Sequence, residues 1–256
     1  MSIARPLWSH TMSVARPFVW FLALGLSLVS AAAADDAGFK SLFNGKDFTG
    51  WVVPEGDNGH WKIVDGVIDY DAASEAAKDK NLWTEKEYGN YTLRLEWRIK
   101  ETPYMNPRVP IILPNGTHKL GIDGKPIQII VPDSDSGVYM RGSSKAQINI
   151  WCWPCGSGEV YGYRMDQSMP AAVRAGVTPR VNADHHIGEW NQFELTMAGD
   201  RLTVVLNGQT VLDKAQLPGI PERGRIALQH HGSKKNGEWT SPPSLVQFRK
   251  IAIREE

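Results

Sequence analysis

The amino-acid sequence predicts an all-β fold, either a sandwich or a barrel of antiparallel strands. From Phe39 onward the apolar residues recur mainly at every second position, which is the spacing of a strand with one buried face. About ten such short runs are separated by Gly, Asn, Asp and Pro. Long runs with helical spacing are nearly absent, so the pattern argues against helical and α/β folds.

Two hairpins are predicted from dipeptides that favour tight turns. Asp65-Gly66 divides the strands of residues 61–70, and Asn207-Gly208 divides those of residues 201–212. Both dipeptides suit a two-residue turn in which both positions need a positive φ. Further strands are predicted at residues 93–99, 136–141, 145–151, 191–198, 224–231 and 244–254.

The remaining segments predict little helix and two long connections. Residues 72–80 and 170–175 each suit one or two helical turns at most. Residues 101–135 and 153–188 are too long for tight turns, and connections longer than about 15 residues are usually functional or mobile. Because they flank the strands of residues 136–151, we expect them to wall a cleft. We predict one domain over residues 35–256, with a division near residue 180 as the alternative.

The N-terminus has the pattern of a cleavable signal peptide, residues 1–34. Arg5 and Arg16 precede an apolar run at residues 18–29, and small residues follow up to Ala34. We expect cleavage after Ala34 or one residue earlier, and therefore an exported protein. An uncleaved anchor helix is the alternative, and a start at Met12 would give a signal of more usual length.

Charge and composition bear on the partners. Lys and Arg together number 28, as do Asp and Glu, so the formal net charge is zero. Bulk charge therefore predicts no attraction to nucleic acid or to an anionic membrane. The ten Trp residues suit either aromatic platforms for sugars or a large sandwich core.

Strand parity predicts a set of polar side chains that face away from the core. They are Glu96, Tyr139, Arg141, Gln147, Asn149, Gln229 and His231. Planar amides, a guanidinium, an imidazole and a phenol offer the paired donors and acceptors that bind polyols. The alternative is that each is simply solvated, as most outward polar residues are.

Several segments resemble one family in order along the chain. They are SLFNGKDFTGW (41–51), LWTEKEYGNYTLRLE (82–96), SGVYMRG (136–142), GEWN (188–191), LNG (206–208), LQHHG (228–232) and VQFRKIAIR (246–254). Together they resemble the 3-keto-disaccharide hydrolase family, the former domain of unknown function 1080, over about residues 38–254. The resemblance implies a bacterial protein, periplasmic or extracellular, with a concanavalin A-like jelly roll of two antiparallel sheets. The outward residues would then converge on a concave sheet that binds a 3-keto-glycoside.

The family is associated with 3-keto-glucoside 1,2-lyase and 3-keto-glucal hydratase activity. A ketone at C3 acidifies the C2 proton, so a base removes it, the C1 substituent leaves, and water adds back. We expect His231 as the base, Glu96 as a base or as a group that orients the histidine, and Arg141 beside the enolate. The predicted substrate-binding residues are Tyr139, Gln147, Asn149, Gln229 and Trp153.

Other interpretations of these residues remain open. His231 could instead be a structural histidine at the end of a sheet, and Glu96 could form a salt bridge with Arg94 or Arg98. Many relatives carry an acid where this chain has Gln147, so the base or the activity itself differs here if that acid is their base. A non-catalytic, lectin-like module is therefore the alternative function.

The two cysteines lie in Trp151-Cys-Trp-Pro-Cys-Gly156, which superficially resembles a thiol redox motif. Such motifs act at the start of a helix in a βαβ unit, and no such unit is predicted. A small disulfide between Cys152 and Cys155, or a plain loop, is expected instead. His185 and His186 would have to complete any zinc site, and we predict neither a metal nor a cofactor.

Overall fold

The alternating apolar residues form two antiparallel sheets that share one core. The computed structural model describes residues 37–256, and the predicted signal peptide lies outside them. The strands are β1 (Lys40–Ser41), β2 (Trp51–Val52), β3 (Trp61–Val64), β4 (Val67–Tyr70), β5 (Leu82–Tyr88), β6 (Tyr91–Ile99), β7 (Tyr104–Pro110), β8 (Gln128–Asp133), β9 (Asp135–Met140), β10 (Ser143–Trp151), β11 (Asn191–Ala198), β12 (Arg201–Leu206), β13 (Gln209–Gln216), β14 (Gly224–Leu228), β15 (Ser233–Lys235), β16 (Glu238–Ser241) and β17 (Val246–Glu255). The helices are α1 (Tyr161–Met165) and α2 (Ala171–Gly176).

Within residues 37–256 the strands form a large sheet, a small sheet and two ribbons. The eight-stranded sheet has the order β13-β12-β11-β6-β17-β4-β3, with β1 also paired to β17. The five-stranded sheet has the order β10-β9-β14-β5-β2. Strand β7 pairs with β8, and β15 with β16, as two-stranded ribbons. The predicted all-β, concanavalin A-like jelly-roll class is confirmed.

The inner faces of the two sheets bury the side chains that strand parity assigns to the core. Leu93, Leu95 and Trp97 of β6 are each 1% exposed, and Val138 and Met140 of β9 are fully buried. Each fully buried aliphatic side chain of this size contributes about 1.5–3 kcal/mol. The phenol of Tyr91 in the large sheet donates to Met140 Sδ in the small sheet at 3.4 Å. The opposite face of each sheet is therefore left for polar residues.

Both predicted hairpin turns are present. Asn207 and Gly208 have φ values of 51° and 78°, and Asp65 and Gly66 have φ values of 52° and 76°. Two consecutive positive φ values match the twist of the flanking strands, and Asn, Asp and Gly tolerate them best. The two dipeptides therefore fix the register of β12 against β13 and of β3 against β4.

The segments without a clear period were predicted less well. Residues 101–135 contain the β7–β8 ribbon rather than a plain loop. Residues 72–80 contain no helix, because Ala72 has a φ of 59° and the Asp71 carboxylate accepts the Ala73 amide. The predicted turn of helix near residue 170 is α2, whereas α1 was not predicted. Among residues 37–256, no helix is long and apolar enough to cross a membrane.

Replacing Gly208 by Ala should lower the free energy of unfolding by about 1–2 kcal/mol, because Ala has a Cβ that disfavours a φ of 78°. Urea denaturation measures the change. The exposed neighbour Gln209 is the matched control, and Gln209→Ala should change stability by less than about 0.5 kcal/mol. Equal stability of Gly208→Ala and the natural chain would contradict the assigned turn.

Candidate active site

The outer face of the small sheet gathers four of the predicted substrate-binding residues. In the register of β10 against β9, Gln147 lies opposite Tyr139 and Asn149 lies opposite Gly137. Gln229 follows β14, and its backbone N–H donates to the Gly137 carbonyl at 2.9 Å. Tyr139, Gln147, Asn149 and Gln229 therefore occupy adjoining positions, as expected, while their part in binding stays a prediction.

A glycine lets two of these amides meet across a strand. Gln147 Nε2 donates to Gln229 Oε1 at 2.5 Å, which places the amide over β9 between them. A Cβ at Gly137 would lie 2.8 Å from Gln147 Nε2 and 2.7 Å from the Ile148 carbonyl oxygen. No other residue leaves that space free. The bond fixes the orientation of both amides, and it makes Gln147 a hydrogen-bonding group rather than a base.

Tyr139 and Trp83 form an aromatic wall beside the amides. Ala227 pairs with both Tyr139 and Trp83, and the two rings lie 5.8 Å apart between centroids. The Trp83 indole donates to Asp79 Oδ2 at 2.5 Å, which holds the ring in place. Burial raises the pKa of Tyr139 to about 12, against a smaller opposing effect of the Gln229 hydrogen bond. The phenol is therefore protonated, and able to donate, at neutral pH.

His231 is held in the tautomer that a general base needs. Its Nδ1 lies 2.6 Å from the Pro242 carbonyl oxygen. A carbonyl can only accept, so Nδ1 carries the hydrogen and the lone pair is on Nε2. The backbone is fixed as well, since the His231 amide donates to Ser244 Oγ and that hydroxyl donates to the Asp135 carbonyl at 2.7 Å.

Asp135 is a candidate that strand parity missed. It opens β9 on the same face as Gly137 and Tyr139, opposite Trp151 of β10. Its Oδ1 is buried and has no hydrogen-bond partner among the described residues. Burial raises its pKa to about 7, with His231 acting in the opposite direction and Asp133 adding to the rise. Both protonation states are therefore available near neutral pH, as acid–base catalysis requires.

Trp153 lies at the end of this face, next to a second carboxylate. Its ring stacks on Trp151 at 4.0 Å, and its indole donates to Asp133 Oδ2 at 3.1 Å. Asn106 of β7 donates to the same oxygen at 2.8 Å. The β7–β8 ribbon thus positions one wall of the site, in line with the expectation that the long segments wall a cleft.

Glu96 does not join this group, and the expected convergence was wrong for this residue. It lies on β6 in the large sheet, where Arg249 and Lys250 contact its two oxygens at 2.6 and 2.8 Å. Burial works to raise its pKa, but the hydrogen bonds from Lys250 and Arg249 outweigh burial and the pKa is lowered. Parity gave the correct side of the strand but could not assign the strand to a sheet.

The Arg141 side chain forms hydrogen bonds with other parts of the protein and does not face the side-chain amides of the small sheet. The residue follows the last residue of β9, is 2% exposed and has a φ of 49°. The guanidinium donates to the carbonyls of Gly89, Gly199 and Pro221 at 2.8, 2.8 and 3.1 Å, and to Asn90 Oδ1 at 2.9 Å. It joins three turns, so we assign it a structural part in place of the expected enolate contact.

The two cysteines do not form the small disulfide that was one of their two expected arrangements. Cys152 and Cys155 are free thiols. Burial raises the pKa of Cys152 to about 12 and that of Cys155 further, so both stay protonated and unreactive. Among residues 37–256, no group of three His, Cys, Asp or Glu side chains is placed to hold a metal ion.

The sequence matches the family of 3-keto-alpha-glucoside-1,2-lyase-like domains over residues 38–254. The chain belongs to this family. The resemblance found in the sequence motifs is thereby confirmed, and the protein is a member of a carbohydrate-active enzyme family. A search of curated proteins gives no match.

Solved structures support the fold of this 3-keto-alpha-glucoside-1,2-lyase-like domain. A crystal structure of a proposed glycosyl hydrolase from Parabacteroides distasonis ATCC 8503 at 1.70 Å is 18% identical, with a TM-score of 0.53. The alignment covers 90% of this chain and 98% of the other. A second from the same organism, at 2.13 Å, is 16% identical with a TM-score of 0.51, covering 86% and 84% of the two chains. At these identities the likeness concerns the fold.

Replacing Arg141 by Lys should lower the free energy of unfolding by about 3 kcal/mol, because one ammonium cannot replace the guanidinium across three turns. Chemical denaturation measures the loss. Arg223, exposed and bonded to a single carbonyl, is the matched control, and Arg223→Lys should cost less than about 0.5 kcal/mol. A stable Arg141→Lys protein would show that the guanidinium is not structural.

Proposed function

We propose that this domain cleaves 3-keto-glycosides by removing the C2 proton, expelling the C1 substituent and adding water back. The observation that carries the proposal is that an imidazole with a free Nε2 and a carboxyl of raised pKa lie near each other at one end of the small sheet. His231 and Asp135 supply these groups, and the Ser244 hydroxyl bridges their backbones. Amides and a phenol, the donors and acceptors suited to a sugar ring, lie beside them.

The elimination needs one base and one acid. The Nε2 of His231 takes the proton from C2, and the electron pair passes into the enolate of the C3 ketone. The enolate then forms the C1–C2 double bond as the C1–O bond breaks, and the departing oxygen takes a proton from Asp135. The products are a 2-hydroxy-3-keto-glucal and the free aglycone. Water then adds across the double bond to give the 3-keto-sugar, so the overall reaction is a hydrolysis.

The polar side chains of the sheet orient the sugar. Tyr139 donates from its phenol, which is close enough to β14 to interact with Gln229. Gln147 and Gln229, fixed by their mutual bond, retain further donors and acceptors for hydroxyl groups. Asn149, 2% exposed, lies next in line opposite Gly137. A donor among them stabilises the enolate oxygen in the manner of an oxyanion hole.

A carboxyl group at Asp135 explains how the chain can work with an amide, rather than an acid, at position 147. The Gln147 side chain cannot remove a proton, and its Nε2 is committed to Gln229. Asp135 lies on the same face of the neighbouring strand, four residues before Tyr139, which is the partner of Gln147, and burial raises its pKa to about 7. We propose that the acid–base function resides in Asp135 and His231 in this chain.

We also propose that the domain acts outside the cytoplasm of a bacterium, in the periplasm or beyond. The support is the pattern of residues 1–34, a basic start followed by an apolar run and small residues.

Purified protein should convert methyl 3-keto-glucoside to 3-keto-glucose and methanol. His231→Ala and Asp135→Asn should each lower kcat by about 10²–10⁴-fold, the usual loss for a general acid or base. Glu96→Gln is the matched control, with unchanged turnover, because Glu96 lies on the large sheet. In deuterated water, product formed by elimination and hydration must carry deuterium at C2.

Two outcomes of this experiment would contradict the proposal. Product without C2 deuterium would exclude the elimination route and favour direct hydrolysis. Binding of the substrate without any turnover would favour the lectin-like module.

Asp135→Asn should raise the melting temperature at pH 8 and change it little at pH 4. The folded-state pKa of about 7 lies above the ordinary 3.8, so the folded protein keeps a proton that the unfolded chain releases between these values. Stability from this group is therefore present at low pH and is lost as the pH rises toward 7. Thermal unfolding from pH 4 to pH 8 measures the effect, with exposed Asp213→Asn as the control. Parallel pH profiles of Asp135→Asn and the natural chain would contradict a raised pKa.

A further inference from the structure

The segment between β7 and β8 makes two turns whose surroundings differ. The first turn, residues 113–117, packs closely on the body of the protein, since a Cβ at Gly116 would lie only 2.7 Å from the Arg174 carbonyl oxygen. The second turn, residues 121–125, is closed by a 2.8 Å hydrogen bond from its first amide to its last carbonyl oxygen. The first turn therefore anchors the segment, and the second is left at the surface.

The four most exposed large hydrophobic side chains of residues 37–256 all belong to this segment and to the two strands that flank it. Ile122 in the second turn is fully exposed, and Leu120 just before the turn is 56% exposed. Met105 of β7 and Ile130 of β8 are 56% and 66% exposed. Single exposed aliphatic side chains are common on protein surfaces, whereas their concentration in one place marks an interaction surface.

The same segment carries an excess of positive charge. Between residues 104 and 132, Asp123 is the one acid, and its carboxylate accepts the Lys125 amide at 3.1 Å. The cations of this stretch, all exposed and outside any ion pair within the described residues, are Arg108, Lys119 and Lys125. Three cations against one carboxylate leave a local charge of +2. The zero formal charge of the whole chain therefore does not extend to this surface.

We propose that the protein docks on an anionic lipid bilayer through the second turn, with Leu120 and Ile122 inserted among the head groups and Lys119 and Lys125 against the lipid phosphates. Binding of this kind grows with the apolar area inserted and with the attraction of basic side chains to anionic lipid. A protein partner fits less well, because a stable protein interface buries about 800 Å² on each side, far more than one short turn offers. The inference goes beyond the proposed function and does not depend on it.

The docking turn is joined to the candidate active site through β8. Val131 and Pro132 of that strand line a cleft of 580 Å³, which Trp153 and Asp184 also line. Because the first turn fixes the segment to the body of the protein, docking would set the orientation of this cleft relative to the bilayer.

Co-sedimentation with lipid vesicles tests the inference. Protein recovered after export is used throughout, so that the natural chain and its variants share one N-terminus, identified by mass spectrometry. Vesicles of equal parts phosphatidylglycerol and phosphatidylcholine should bind the protein about 10–30-fold more strongly than vesicles of phosphatidylcholine alone, the effect of two unbalanced basic side chains at an anionic surface. Raising the salt concentration should reduce this difference.

One pair of variants tests the apolar contribution. Ile122→Ser should lower binding to the anionic vesicles about tenfold, since it withdraws a large aliphatic side chain from the lipid interface. Val64→Ser, at an exposed position in the β3–β4 hairpin, is the matched control and should leave binding unchanged. Both positions are exposed, so neither change threatens folding.

A second pair tests the charge. Lys119→Gln combined with Lys125→Gln should abolish the preference for anionic lipid, because one cation and one carboxylate would then remain in the segment. Lys46→Gln combined with Lys78→Gln makes the same change in net charge at exposed positions elsewhere and should retain the preference.

Three results would overturn the inference. The first is no binding to either kind of vesicle, or equal binding to both. The second is an Ile122→Ser protein that binds the anionic vesicles as well as the natural chain does. The third comes from analytical ultracentrifugation: a dimer that Ile122→Ser dissociates, formed by a protein that does not bind vesicles, would assign the turn to a second copy of the chain.

Discussion

The position of β9 between β10 and β14 is the constraint on which the rest of the site depends. Register places Tyr139 opposite Gln147 and Ala227, Gly137 opposite Asn149, and Asp135 opposite Trp151. A shift of β9 by one residue would turn Asp135, Gly137 and Tyr139 into the core and bring Val138 and Met140 to the surface. Burial of the alternate residues therefore selects the polar face. The same hydrogen bonds that hold the small sheet together set the distances within the site.

The site keeps groups that a purely structural sheet would not. Asp135 has a buried oxygen without a partner in the described chain, and Gly137 gives up a side chain in a central strand. Each feature weakens folding, since a buried unpaired oxygen and a strand glycine both cost free energy. The extensive core between the sheets offsets these costs. Their concentration on one face is the physical reason to place the chemistry there.

Sequence periodicity predicted the sheets well because their cores impose it. Parity assigned Tyr139, Gln147 and Gln229 to an outer face, and the Asp-Gly and Asn-Gly pairs located two turns. Parity does not show which strands share a sheet. Glu96 was therefore grouped with residues of the small sheet, although its strand belongs to the large sheet. Asp135 was missed because the strand was predicted to begin one residue later. The hydrogen bonds of Arg141 depend on three turns that are distant in sequence, and no local sequence pattern connects them.

The long segment after β10 is held against the small sheet by its own hydrogen bonds. Its backbone pairs with the edge of the small sheet, where Asn149 donates to the Glu159 carbonyl at 2.9 Å and Gly158 donates to the Asn149 carbonyl at 2.8 Å. Glu159 and Arg164, both almost fully buried, are joined at 2.5 Å and secure the turn that follows. A buried ion pair of this kind is costly to break, because either partner alone would be an unpaired charge.

The same segment positions one wall of the cleft, since the Ser157 backbone amide donates to one oxygen of Asp184 and leaves the other unpaired. A wall anchored in this way loses little conformational entropy when a ligand binds, so its polar atoms can contribute to selectivity. The segment therefore acts as a fixed extension of the sheet rather than as a lid. That rigidity, together with the fixed tautomer of His231, points to a site whose specificity is built into the fold.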